Sequence, residues 1–122
     1  HVDNARRVAE WLEADPRIET VNWAGLPSHR HHARAAQYLP LGPSSVFGFV
    51  VKGGRAVGQG LIENVTLASH LANIGDAKTL IIHPASTTHA QLTEQQLVDG
   101  GVHPGLVRLS VGIEDADDII YD

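Results

Sequence analysis

Three short apolar runs limit what this chain can become: "SVFGFVV" at 45–51, "TLIIH" at 79–83 and "LVRLSVGI" at 106–113. Each is rich in β-branched residues and too short for a core helix, so each reads as a strand. Turn chemistry closes the first two, Gly53-Gly54 and His83-Pro84. A fourth strand is expected over "IETVNW", 18–23, closed by Gly25 and Pro27. Between these runs the periodicity is helical. Val2, Ala5, Val8, Ala9 and Leu12 mark one apolar face of a helix that ends near Asp15-Pro16. Ser28 is expected to cap a second helix through about Leu39, stopped by Pro40, Gly42 and Pro43. Residues 55–65 read as helical although Gly58 and Gly60 each cost about 1 kcal/mol relative to Ala. Thr93 followed by Gln96 predicts a capping box for a helix reaching Val98, ended by Gly100-Gly101. "EDADDIIYD" predicts a last helix whose first turns hold four acids, favourable at the positive end of the helix dipole. Strands and helices in this order make one layered domain, α+β or α/β.

Composition narrows the partners. At 122 residues with 43% hydrophobic content, the chain supports a single domain with a real core. A net charge of −5 argues against nucleic acid or an anionic membrane as partner. No apolar run approaches the roughly 18 residues needed to span a bilayer. Cysteine is absent, which excludes disulfides, thiolate metal sites and a Cys nucleophile; a reducing cytoplasm is the default location. There is no methionine, His1 enters a helical pattern directly, and the last helix lacks a C-cap. The expectation is a piece of a longer chain.

Arg108 is the first candidate for chemistry. It stands inside the apolar run "LVRLSVG", where an unpaired buried charge is heavily penalised. It reads either as an edge-strand residue that reaches water or a local acid, or as a fork that grips a carboxylate ligand with two hydrogen bonds. Eight histidines include the group His29, His31 and His32, but Arg30 and Arg34 lie among them and no carboxylate stands at ligand spacing. No metal site is expected. His83, before Pro84, reads as a strand-end residue with a structural hydrogen bond. Ser86, Thr87, Thr88 and His89 offer hydroxyls beside an imidazole, yet no nucleophile elbow accompanies them. The glycines at 53, 54, 58 and 60 lack the GK[ST] of a phosphate loop. Asn73-Ile74-Gly75-Asp76 reads as a turn.

Taken together, "NIGDAKTLIIHPASTTH" and "RLSVGIEDADDI" resemble the C-terminal domain of the Cys/Met-metabolism PLP enzymes, and the resemblance covers essentially all of residues 1–122. Within that family the chain is more similar to the O-acetylhomoserine sulfhydrylases than to the cystathionine enzymes, which carry a Ser-x-Gly-Gly turn where Asn73 stands here. The resemblance implies the small α+β domain of a fold-type I PLP enzyme, with a short, mainly antiparallel sheet packed against helices. It implies that Arg108 binds the substrate carboxylate, that Asn73 is a second contact, and that Ser86, Thr87 and Thr88 form a pocket wall. The family's cofactor lysine sits in a Ser-x-Thr-Lys context, which neither Lys52 nor Lys78 matches. PLP is therefore expected in a parent enzyme and not in this piece, which holds no catalytic, cofactor-binding or metal-binding residue and is expected to be inactive alone. The parent would be a cytoplasmic transferase of methionine biosynthesis, a homotetramer that makes homocysteine and acetate from O-acetylhomoserine and sulfide. Its partners would be a small amino-acid substrate and the missing large domain, with no nucleic acid and no membrane. O-succinylhomoserine sulfhydrylase, cystathionine γ-synthase and a non-catalytic binding module are the alternatives.

Overall fold

The computed structural model describes residues 1–122. The chain runs α1 (Val2–Ala14), β1 (Ile18–Asn22), α2 (His32–Tyr38), β2 (Val46–Val51), α3 (Arg55–Asn64), β3 (Ser69–His70) and β4 (Leu80–Ile82). A 3-10 turn (Pro84–Ser86), α4 (Glu94–Asp99), β5 (Leu106–Ser110) and α5 (Ala116–Tyr121) complete it. The strands form one five-stranded sheet in the order β1-β2-β5-β4-β3. Every pairing is antiparallel except that of β3 with β4. This is the small, mainly antiparallel α+β domain expected. The two-residue β3 has no apolar run to announce it. It exists because β4 offers a free edge, and Ser69 and His70 pair with Leu80 and Ile81.

The pleat divides the sheet into two unlike faces. Phe47, Phe49 and Val51 of β2 share one face with Val107, Leu109 and Val111 of and just after β5, since Phe47 pairs with Leu109 and Phe49 with Val107. All six are buried, and they join Ala5, Val8, Ala9 and Leu12 of α1 in the main core. The helical stripe read from the first twelve residues is therefore the stripe that docks. Helix α1 packs on β1 and α5, and α3 packs on β2 and β5. Fully burying each such Val, Leu or Phe contributes about 1.5–3 kcal/mol.

Gly58 shows why α3 carries a residue that weakens helices. A Cβ there would lie 2.6 Å from Nε2 of His83, which is completely buried. The missing side chain is the space that imidazole fills. His83 has the structural role expected: Nε2 lies 2.6 Å from the Pro104 carbonyl and Nδ1 2.8 Å from the Ser86 hydroxyl. A carbonyl only accepts, so Nε2 carries a proton.

Local signals at the other helices divide. The capping box of α4 is complete, with Gln96 N donating to Thr93 Oγ1 at 3.2 Å and Thr93 N to Gln96 Oε1 at 2.9 Å. Ser28 does not cap α2. The chain passes through successive turns, His29 N donating to Leu26 O and His32 N to His29 O, before the helix begins at His32. The Ser28 hydroxyl instead donates to the Glu13 carboxylate on α1. Helix α5 is also shorter than its acids suggest. Asp115 caps it by accepting from Asp117 N at 2.9 Å, so Glu114 lies outside the helix.

Candidate functional site

The second face of the sheet presents Leu106, Arg108 and Ser110 from β5 beside Val46, Gly48 and Val50 from β2. Gly48 stands directly opposite Arg108, and Ile82 of β4 opposes it on the other side. Arg108 thus sits on the central strand, not at an edge, with a residue lacking a side chain next to it. The edge-strand reading is corrected on this point, and so is its pairing with a local acid. The chain's ion pairs are Arg7–Asp117, Arg17–Asp15 and His103–Glu19, and none includes Arg108. The alternation that places Val107 and Leu109 against the helices forces Arg108 outward, and it is only half-buried.

One protein group receives the guanidinium. Nη2 of Arg108 donates to the Asn73 backbone carbonyl at a long 3.4 Å. The fork has five N–H donors, so most of its capacity remains free for a planar anion. The turn that supplies this carbonyl crosses the strand end, and Gly75 N donates to Ser110 Oγ at 3.3 Å. Structure therefore brings together Arg108 and Asn73, which lie 35 residues apart in the chain. The contact uses the backbone of Asn73. Its side-chain oxygen accepts from Ile74 N at 2.8 Å, which leaves the exposed carboxamide NH2 as its free donor.

The hydroxyl cluster is arranged differently. Thr87 Oγ1 donates to the His83 carbonyl at 2.8 Å, Ser86 Oγ meets His83 Nδ1, and Thr88 Oγ1 lies 2.8 Å from His89 Nδ1. These groups close the turn after β4. No hydrogen bond links them to Arg108 or to the Asn73 turn. No group of three or more His, Asp or Glu side chains is placed to hold a metal ion.

Glu114 is the residue that sequence reasoning placed wrongly, as a helix-dipole acid. Its Oε1 accepts from Thr79 N and its Oε2 from Thr79 Oγ1, both at 2.7 Å. Partial burial raises its pKa, but the two Thr79 hydrogen bonds outweigh that, with a smaller pull from Lys78, and the net direction is downward. Nothing in the run Glu114-Asp115-Ala116-Asp117-Asp118 marks it off from the helix acids.

An apolar hollow lies on the other face, between α1, α3 and α5. It is a cavity of about 310 Å³ lined by residues such as Val8, Trp11, Leu61, Val65 and Ile120. It holds no lysine or histidine, and Arg108 is not among the residues that line it.

The model of the Cys/Met metabolism PLP-dependent enzymes matches residues 1–122. An O-acetyl-L-homoserine sulfhydrylase of Leptospira meyeri is 50% identical over 123 residues, covering 100% of this chain and 28% of the relative. O-acetyl-L-homoserine sulfhydrylase 1 of Thermus thermophilus is 47% identical over 119 residues, covering 98% of this chain and 28% of the relative. Among solved structures, a Campylobacter jejuni protein provisionally assigned as an O-acetylhomoserine (thiol)-lyase superposes with a TM-score of 0.89 and 38% identity. It covers 100% of this chain, which spans 29% of it, and it carries a pyridoxyl-lysine 5′-monophosphate. The chain belongs to the Cys/Met-metabolism PLP-dependent family, and it spans just over a quarter of the length of these relatives.

The residues present do not fit the cofactor by themselves. Lys52 and Lys78 are both exposed, one in the turn after β2 and one in the loop before β4, and neither lines the apolar hollow. The lining of the apolar cavity offers neither an imine-forming lysine nor a phosphate cradle.

Proposed function

We propose that these residues form the small, C-terminal domain of an O-acetylhomoserine sulfhydrylase and supply its grip on the substrate carboxylate. One observation carries the reading. Arg108 stands half-buried on the central strand, on the face opposite the main core, and it forms no ion pair with any carboxylate of this chain. A guanidinium so placed is matched by a planar anion from outside the chain. The α-carboxylate of an amino acid is such a group. The exposed Asn73 carboxamide offers a second donor, and Ser86, Thr87 and Thr88 would border the site's entrance.

The whole protein would exchange the acetoxy group of O-acetylhomoserine for sulfide, giving homocysteine and acetate in methionine biosynthesis. The PLP that this reaction needs as an electron sink would be held by protein outside these 122 residues. A cytoplasmic homotetramer, without nucleic-acid or membrane partners, is proposed from the family resemblance. The chain alone is then inactive and forms no stable PLP adduct. Borohydride trapping of stoichiometric PLP on Lys52 or Lys78 would contradict this.

The test is steady-state kinetics of the full-length enzyme. Removing a charge-assisted bidentate contact costs about 2–5 kcal/mol, so Arg108→Ala should lower kcat/KM for O-acetylhomoserine roughly 30- to several-thousand-fold. Arg108→Lys should recover little, because an ammonium cannot reproduce the fork. A stable Arg108→Ala enzyme with unchanged kcat/KM ends the proposal. Preference for O-succinylhomoserine, or for cysteine over sulfide, would transfer it to the O-succinyl or cystathionine-forming relatives.

A further inference from the structure

We infer that Glu114 is a positioning residue for Arg108: it holds the turn whose Asn73 carbonyl receives the guanidinium, and so sets where the fork points. This rests on the reading of Arg108 as the carboxylate grip.

The segment from Leu71 to Lys78 is almost entirely exposed and contributes little to the core. Left to itself, such a segment would sample many conformations, and a carbonyl on it would make a poor guide for an arginine. The hydrogen bonds from this segment and from the adjoining Thr79 to β5 and the residues after it grow shorter away from Arg108. Arg108 reaches Asn73 O at 3.4 Å, and Gly75 N reaches Ser110 Oγ at 3.3 Å. Further along, Ile113 N donates to Ala77 O and Gly112 N to Thr79 Oγ1, each at 2.9 Å. At the far end Glu114 takes Thr79 N and Thr79 Oγ1 at 2.7 Å each. The turn is anchored at Glu114 and merely touched by Arg108.

Three details indicate a built anchor. Thr79 is completely buried, so its hydroxyl and amide have no water to replace the carboxylate. At Gly112, a Cβ would lie 2.4 Å from Ala77 O and from Glu114 Oε2, so the close approach of the two segments depends on a missing side chain. From the opposite side, Asn4 Nδ2 on α1 donates to the carbonyls of Gly112 and Glu114 at 3.1 and 2.6 Å. The Glu114 backbone is held to the core helix, and its carboxylate presents both oxygens to one threonine. Asp115 already caps α5, so Glu114 is free of that duty.

The experiment is a set of variants in the full-length holoenzyme: Glu114→Ala, Thr79→Val, Thr79→Ser and, as reference, Arg108→Lys. Thermal melts and KM for each substrate are measured on all four. A binding group displaced by about 1 Å loses up to roughly 100-fold, so Glu114→Ala and Thr79→Val should raise KM for O-acetylhomoserine roughly 10- to 100-fold. KM for sulfide should not change. Thr79→Ser keeps the hydroxyl and should stay near wild type. A structural role alone predicts lower melting temperatures with both KM values intact in the folded enzyme, and that result overturns the inference. So does a Thr79→Ser enzyme as impaired as Thr79→Val. If Glu114→Ala does not fold, the threonine pair decides. If Arg108→Lys also leaves binding intact, the carboxylate grip itself has failed. If Arg108→Lys weakens binding but the Glu114 and Thr79 variants do not, only the positioning role falls.

Discussion

The two faces of the sheet are built from the same strands and obey different rules. On the helix side, Phe47, Phe49, Val107 and Leu109 pack against α1 and α3. Their identities follow from volume and apolarity. On the other side, Gly48, Arg108 and Ser110 stand at the same registers, one residue out of phase. There a charge has no counter-charge, and a strand interior carries a glycine. Alternation lets adjacent residues serve opposite ends, stability on one face and, as proposed, recognition on the other. If this division is right, substitutions one residue apart along β2 and β5 should have different consequences.

The largest effect is expected on the closed face. Phe49 is 3% exposed and sits opposite Val107 at the centre of the core. Phe49→Ala should cost about 3–5 kcal/mol through lost transfer free energy and a cavity. A domain of ordinary stability, about 5–15 kcal/mol, would approach unfolding. Urea denaturation followed by far-UV circular dichroism measures it. A shift below 1 kcal/mol would break the contrast between the faces at once.

Gly58→Ala sharpens the same comparison within a helix. On propensity alone, alanine should stabilise α3 by about 1 kcal/mol. The contact with His83 reverses the sign, because the new methyl would press on a buried, doubly hydrogen-bonded ring. Overpacking of this kind typically costs about 1–3 kcal/mol. A lower melting temperature is expected. A higher one would show that His83 moves aside freely.

Much of the closed face was legible in the sequence, and little of the open one. Apolar periodicity is a direct consequence of burial, so α1, β2, β4 and β5 announce themselves. The capping box at Thr93 and Gln96 is equally local. Ser28 misled because capping preference shows only that a residue is able to cap, and the turns from Leu26 to His32 delay the helix. Strand β3 was invisible because two residues hold no period. Arg108 was conspicuous as a charge in an apolar run, but its partner, a backbone carbonyl, has no side-chain signature. Glu114 lay within four acids that read as one helix start. Only the tertiary approach of residues 112–114 to 77–79 separates it from Asp115.

Acid should act on the edge where the two faces meet. Glu114 and Asp122 both have lowered pKa values. In each case partial burial opposes the shift and backbone and hydroxyl hydrogen bonds overcome it, from Thr79 to Glu114 and from Thr66 and Ala68 to Asp122. A carboxylate with a lowered folded-state pKa contributes stability that is fully present above its unfolded pKa. That contribution is lost as pH falls through the folded value. The contribution of these two carboxylates should therefore be flat from neutral pH down to the ordinary carboxylate range, near 4, and decline below it. Glu114→Gln should flatten that acid limb while lowering the plateau. An acid limb identical to wild type would remove Glu114 from the account.

The smallest expected effect is the most informative for the open face. Arg108→Ala in the ligand-free protein removes one hydrogen bond of 3.4 Å to Asn73 and no ion pair. The guanidinium is only half-buried, so no deeply desolvated charge is lost and no closed cavity is left. The stability change should stay within about 0.5 kcal/mol, as for surface substitutions away from special features. Replacing an arginine by alanine on a sheet does remove packing from its aliphatic stem, which lies beside Ile82 and Gly48. Arg108→Met keeps most of that stem and separates the two contributions. If both variants melt with wild-type cooperativity and midpoint, the arginine is held for something other than the fold. A loss comparable to that of Phe49→Ala would mean that the open face is a second core, and Arg108 one of its structural members.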